Sequence, residues 1–156
     1  MGTQQILLIV LSVIIVGAAI AVGIQMFNNQ AYSANKTAIA ADAQSYASQV
    51  VQYYKTPTSQ GGLSGDLTGV IADDIGSFIG WGGATLTDNE NGDYKVVPDA
   101  TNNKVSVYGL GKEEKGGNKP AVRTTITFPE GSISAQVIDV SSTTTVSDIE
   151  TAGFAS

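Results

Sequence analysis

Few residues of this 156-residue chain have the types and spacing that chemistry requires. Asp73 and Asp74 come first, because paired carboxylates serve as metal ligands or as an acid/base couple. No basic or imidazole side chain lies near them in the sequence, so a solvated surface is the favoured reading. The run Asp88, Glu90, Asn91 and Asp93 has the oxygen-rich look of a calcium loop. It departs from the D-x-[DN]-x-[DN]-G pattern because Gly92 stands where a ligand belongs, and a hairpin turn explains the same residues. Cysteine and histidine are both absent. Disulfides, thiolate nucleophiles, imidazole bases and ordinary zinc sites are therefore excluded. No catalytic, cofactor-binding or metal residue emerges, no cofactor is expected, and an enzyme is the least favoured function class. Asn35-Lys36-Thr37 forms a glycosylation triplet with Asn35 as the acceptor, and Ser141–Thr145 is hydroxyl-rich enough to carry O-linked sugar.

Charge narrows the partners. The formal net charge is -6 and the eight basic residues are scattered, whereas nucleic acid requires a basic patch. No nucleic-acid partner is expected. Eighteen glycines and many Ser and Thr residues suit a surface-exposed β domain rich in turns.

The element that any function must use is the start of the chain. Ile6 to Ile24 reads ILLIVLSVIIVGAAIAVGI, nineteen residues without a charge. As a helix it would span roughly 28 Å, close to the hydrocarbon thickness of a bilayer. It is apolar all the way round, so every face must be buried in lipid or in protein. A plain membrane anchor satisfies that requirement. A cleaved signal peptide is disfavoured, because no basic segment precedes the apolar run. Two features point beyond an anchor. Nothing charged occurs before Lys36, so the usual basic flank that orients a membrane helix is missing. Gly17, Ala18, Ala19, Ala21 and Gly23 also cluster, and the four-residue spacings of Gly17 with Ala21 and Ala19 with Gly23 let helix backbones approach closely. Such a segment suits a helix that sits first in lipid and then in a bundle of its own copies. Close packing there is expected to stretch or locally unwind the 17–23 segment, driven by assembly because isolated glycines cost only about 1 kcal/mol each.

The remaining elements follow in order. Residues 25–35 are polar, uncharged and free of proline, and continue the helix. From Lys36, residues Ile39, Ala43, Tyr46, Val50 and Tyr53 form one apolar stripe, with Asp42, Gln44, Ser45, Ser48, Gln49 and Gln52 on the opposite face. Pro57 ends the helix near Tyr54. Asp66 to Trp81 reads as a short, glycine-interrupted helix. From Ala84 the period becomes two: ATLT and DYKVV flank DNENG, where Asn91-Gly92 signals a hairpin. KVSVYGL, AVRTTITF and SISAQVIDV follow on short turns, and TTTVSDIE is a candidate last strand. The expected fold class is α+β. A long helix (1–54, with 1–27 apolar and 28–54 amphipathic) precedes a small antiparallel β head (55–156) that covers the helix stripe. Phe27, Tyr32, Tyr46, Tyr53 and Tyr54 lie on the helix, where packing between helix and head is their expected role.

With its apolar start running into an amphipathic helix, then a loop and a small β domain, residues 1–54 resemble the type IV pilin superfamily, which includes the pseudopilins of type II secretion. The resemblance implies a structural subunit of a pilus-like extracellular filament. Its helix would be held in the inner membrane before assembly, handled by a pilus assembly machinery, and packed with its copies in the core of a helical homopolymer. The residues matching that core are Gly17, Ala18, Ala19, Ala21 and Gly23. The family's basic leader does not precede the apolar run, so the chain as read corresponds to the mature form or is not processed that way. The family's usual Glu at mature position five is matched by Gln5, an amide that offers an N-terminal polar contact without charge assistance. The family's C-terminal disulfide loop has no counterpart. A membrane-tethered surface β domain that binds a ligand remains the alternative, and a pseudopilin is a special case of the filament reading.

Overall fold

The computed structural model of the protein describes residues 2–154. One 54-residue helix, α1 (Gly2–Lys55), carries the chain from its start into the head. At 1.5 Å per residue it is about 80 Å long. It runs unbroken through Gly17 and Gly23, so in the single chain the glycines do not interrupt it. Residues 2–30 are exposed throughout. Burial begins at Tyr32 and recurs at Asn35, Ile39, Ala43, Ala47, Val50 and Tyr53, the three- and four-residue steps of a single helix face.

That seam departs from the expected stripe at one position. Ala47 is fully buried, whereas Tyr46 is half-buried at the side. Alanines at 43 and 47 let the sheet come close to the helix, and a tyrosine would not fit between them. Tyr46 instead sets its ring edge-on against Trp81 and Tyr94, each with centroids 5.1 Å away.

The helix ends where proline requires it to. The Thr56 amide still donates to Gln52 O at 3.0 Å, and Pro57 then adopts an extended ψ of 148°. The chain folds back on the helix end, with Leu63 N donating to Tyr53 O and Gly65 N to Tyr54 O. Gly62 is required in this return, because a Cβ there would lie 2.2 Å from Thr56 O. A short helix, α2 (Ala72–Phe78), follows within the segment read as broken helix. It buries Ile75 and packs Gly76 against the Ala84 backbone.

Five strands then form one antiparallel meander in sequence order: β1 (Leu86–Asp88), β2 (Gly92–Asp99), β3 (Lys104–Gly111), β4 (Asn118–Thr127) and β5 (Ser132–Ser141). Alternation sorts their side chains. Tyr94, Val96, Val105, Val107, Val122 and Ile126 face α1, while Tyr108, Leu110, Ala121 and Val140 face outward. The molecule is thus α+β, a long helix laid on a five-stranded sheet.

One sequence expectation is met through a different turn, and one is corrected. The β1–β2 hairpin forms, but not through a left-handed Asn91-Gly92 pair, since neither residue has positive φ. Asn89 makes the turn instead, its Oδ1 accepting from the amides of Asn91 and Gly92. Gly92 serves a close approach: a Cβ there would sit 2.4 Å from Leu110 O and 3.1 Å from the Ile39 side chain. The 143–150 segment is not a strand. It crosses the outward sheet face and ends in a 3-10 turn (Ile149–Thr151) that buries Ile149 against Tyr108, Leu110, Ala121 and Val140. Those apolar side chains would otherwise face water, and the Lys95–Glu150 ion pair ties the crossing down.

Val50 is 1% exposed at the centre of the helix–sheet seam. Val50→Asp is expected to destabilise the head by several kcal/mol, because an unpaired carboxylate would be buried there. Thermal melting of the two proteins checks this, and equal midpoints would contradict the packing described.

Candidate assembly site

The free half of α1 is the candidate site. Its apolar side chains are bare to an unusual degree: Leu7 is 68% exposed, Ile15 59% and Phe27 72%. The helix is long and apolar enough to cross a membrane, with no part of the qualifying window buried inside the chain. Gly17, Ala18, Ala19, Ala21 and Gly23 all lie on this exposed half. A Cβ built at Gly17 or Gly23 meets nothing within 4 Å, so no contact inside the molecule explains either glycine. Gln5 is exposed as well, and the N-terminal residue it would contact lies outside the described residues.

The other half of α1 is held to the head by polar clamps as well as by packing, and these the sequence reading missed. Asp42 does not face solvent as its place opposite the stripe suggested. Its Oδ2 accepts hydrogen bonds from Asn89 Nδ2 at 2.9 Å, Asn91 Nδ2 at 2.8 Å and Tyr94 Oη at 2.7 Å. Burial alone would raise the Asp42 carboxyl, but the bonds from Asn91, Tyr94 and Asn89 outweigh it and hold the carboxyl below its ordinary value. Burial first, and then the Asp42 carboxylate, push Tyr94 well above the usual phenol range. Of the four residues considered for calcium, Asn91 donates its amide to this carboxylate of α1, and no metal-holding acidic cluster exists among the described residues. One signal was available: Asp42 lies three residues from Ile39, at the border of the stripe rather than opposite it.

Asn35 is the second clamp. It is 9% exposed; its Nδ2 donates to Asn91 O at 2.6 Å and its Oδ1 accepts from Glu113 N at 3.3 Å. One side chain thus fastens both the β1–β2 turn and the β3–β4 loop to α1. A sugar on that nitrogen would have to displace the bond to Asn91, so the triplet's asparagine already has a structural task. Gly111 leaves room for it, since a Cβ there would lie 2.2 Å from Asn35 Oδ1.

A third tie reaches the far edge of the sheet. Lys36 Nζ contacts Asp139 Oδ1 at 2.8 Å, and this ammonium, first among the causes, holds the Asp139 carboxyl low. Burial, then the Asp139 carboxylate, pushes Tyr32 up to about 12. Asp73 and Asp74 occupy the first turn of α2, where Asp73 Oδ1 accepts from Thr85 Oγ1 at 3.1 Å. They stand at the start of a short helix, where acidic side chains complement the free amides.

Asp42→Ala is expected to lower head stability by about 1–3 kcal/mol, because Tyr94 would keep a buried hydroxyl without its acceptor. The pH dependence has a defined sign. The folded Asp42 carboxyl titrates below 3.8, so its stabilising share is complete above that value and disappears as pH falls through the lower folded value. Melting curves across the acid range should therefore fall less steeply for Asp42→Asn than for the parent protein. Parallel curves would mean that Asp42 carries no such linkage.

No family model, curated protein or solved structure matches this chain.

Proposed function

We propose that this chain is the structural subunit of a pilin-like extracellular filament, polymerising through the free half of α1. One observation carries the reading: residues 2–30 form a charge-free half-helix, apolar from Ile6 to Ile24, that no part of the described chain covers and that is continuous with a head gripping the same helix from Tyr32 onward. A rod of about 45 Å cannot persist in water. Before assembly it lies in the membrane, residues 6–24 matching the hydrocarbon thickness. In the filament it exchanges lipid for the same rod of neighbouring copies. Both surroundings are apolar, so the hydrophobic effect contributes little to that exchange and close packing decides it. Gly17, Ala18, Ala19, Ala21 and Gly23 supply the close approach. Any stretching between Gly17 and Gly23 belongs to the assembled state, because the helix of the single chain is unbroken.

The head serves as the outer layer. Its fold uses residues 32–154 and needs nothing from the rod. Homopolymer partners, residence in a membrane before assembly, and an assembly machinery that extracts the subunit follow from this reading. A surface-tethered binding domain uses the same helix merely as an anchor, and the two readings diverge at the glycines.

Electron microscopy of sheared surface material separates them. The full chain is expected to form uniform fibres, and a chain starting at residue 28 is expected to remain a folded monomer. Gly17→Leu with Gly23→Leu should abolish fibres while leaving membrane insertion intact, because a simple anchor accepts leucine at both sites. Fibres from the truncated head, or fibres unchanged by the two leucines, would contradict the proposed core.

A further inference from the structure

Between the apolar rod and the head lies a turn of α1 that is neither apolar nor charged. Gln25, Asn28 and Asn29 stand three and four residues apart on one face, and Gln30 extends the same belt. All four are exposed, and none of their side chains hydrogen-bonds another described residue. On one flank the β3–β4 loop brings Glu114, Lys115 and Gly116 beside Gln25, Asn28 and Asn29, leaving an open notch of about 250 Å³. Asn35 Oδ1, accepting from Glu113 N at 3.3 Å, ties that loop to the helix.

These amides do not suit either environment that the rod occupies. Hydrocarbon satisfies neither the donor nor the acceptor of an amide, and bundled helices exclude the water that would. Another amide satisfies both, without introducing charge. A second copy of this chain presents such amides at nearly the same height, on a helix that has no charged residue before Lys36 to fix its position along the axis. Apolar packing alone is tolerant of axial slip, whereas a buried amide pair is not, as register-setting asparagines in coiled coils demonstrate.

We propose that this belt is the register contact between copies: Gln25, Asn28 and Asn29 of one helix hydrogen-bond the amide belt of a second copy, with Glu114 and Lys115 closing the notch around them. The proposal rests on the filament reading above and adds to it a fixed axial offset. The belt from Gln25 to Gln30 is about 8 Å tall. Copies whose belts touch are therefore staggered by no more than about 10 Å, since a larger step would leave the amides opposite apolar side chains.

The test compares fibres of the full chain with those of the triple variant Gln25→Ala, Asn28→Ala and Asn29→Ala. Alanine favours the helix and the replaced side chains are exposed and hydrogen-bond no other described residue, so the melting midpoint of the head should be unchanged. Fibre yield is expected to fall about tenfold or more, or the surviving fibres should lose their single rise and twist; either result supports the belt. A parent fibre whose touching helices are offset by under about 10 Å supports it too. Variant fibres with the parent yield, rise and twist overturn the belt and leave the filament reading standing. A full chain that forms no fibre under any condition overturns the filament reading, and the belt falls with it.

Discussion

The rest of the structure depends on apolar surface that has no partner within the chain. Fifteen large apolar side chains between Ile6 and Phe27 stand exposed, most of them about 60% bare. Burying a single such side chain is worth about 1.5–3 kcal/mol, so the unrealised burial is on the order of 20 kcal/mol or more. A whole domain of ordinary size is stable by only about 5–15 kcal/mol. The rod must therefore be covered by something outside the chain, and it must be so at every stage of the molecule's life. In the proposed reading a membrane meets the requirement first and copies of the same rod meet it next, provided that their backbones pack closely enough to compete with lipid, which is the role proposed for Gly17 to Gly23.

The same constraint explains why the head grips α1 with such variety. If the rod is pulled from one environment to the other, the joint at Tyr32 to Asp42 must transmit that load without peeling. Packing supplies the continuous seam from Ile39 to Tyr53. The polar clamps fasten the end of the seam nearest the free half of α1: Asn35 to the turn and loop, Lys36 to Asp139, and Asp42 to Asn89, Asn91 and Tyr94. Each of the part-buried bonds is worth about 1 kcal/mol, and the exposed Lys36–Asp139 pair less. Together they connect the helix to the first hairpin, the β3–β4 loop and the last strand, so the sheet is tied at both edges.

Much of this was legible in the residues. The apolar run, the stripe from Ile39, the proline stop and the period-two strands report directly on burial, which is the strongest signal a sequence carries. Tertiary geometry accounts for what was not legible. Gly92 looked like a turn glycine but answers to the backbone of the neighbouring strand at Leu110 and to the Ile39 side chain of α1. Asp42 looked solvent-facing because helical periodicity sorts apolar from polar and cannot see a partner 52 residues away at Tyr94. Residues 143–150 are rich in β-branched side chains, like a strand, yet the bare outward faces of Tyr108 and Leu110 draw the chain across the sheet instead of along its edge. The free half of α1 was legible for a different reason: its environment is uniform, so composition alone specifies it.

The central claim is that the free half of α1 is the buried core of an assembly and the β head its exterior. A density map of the fibre, resolved well enough to trace backbone, measures this most directly. The account predicts apolar half-helices gathered about the fibre axis, with every sheet outside them and residues 2–30 in contact with other copies. Heads packed on the axis, or half-helices lying against solvent or detergent at the fibre surface, would contradict it.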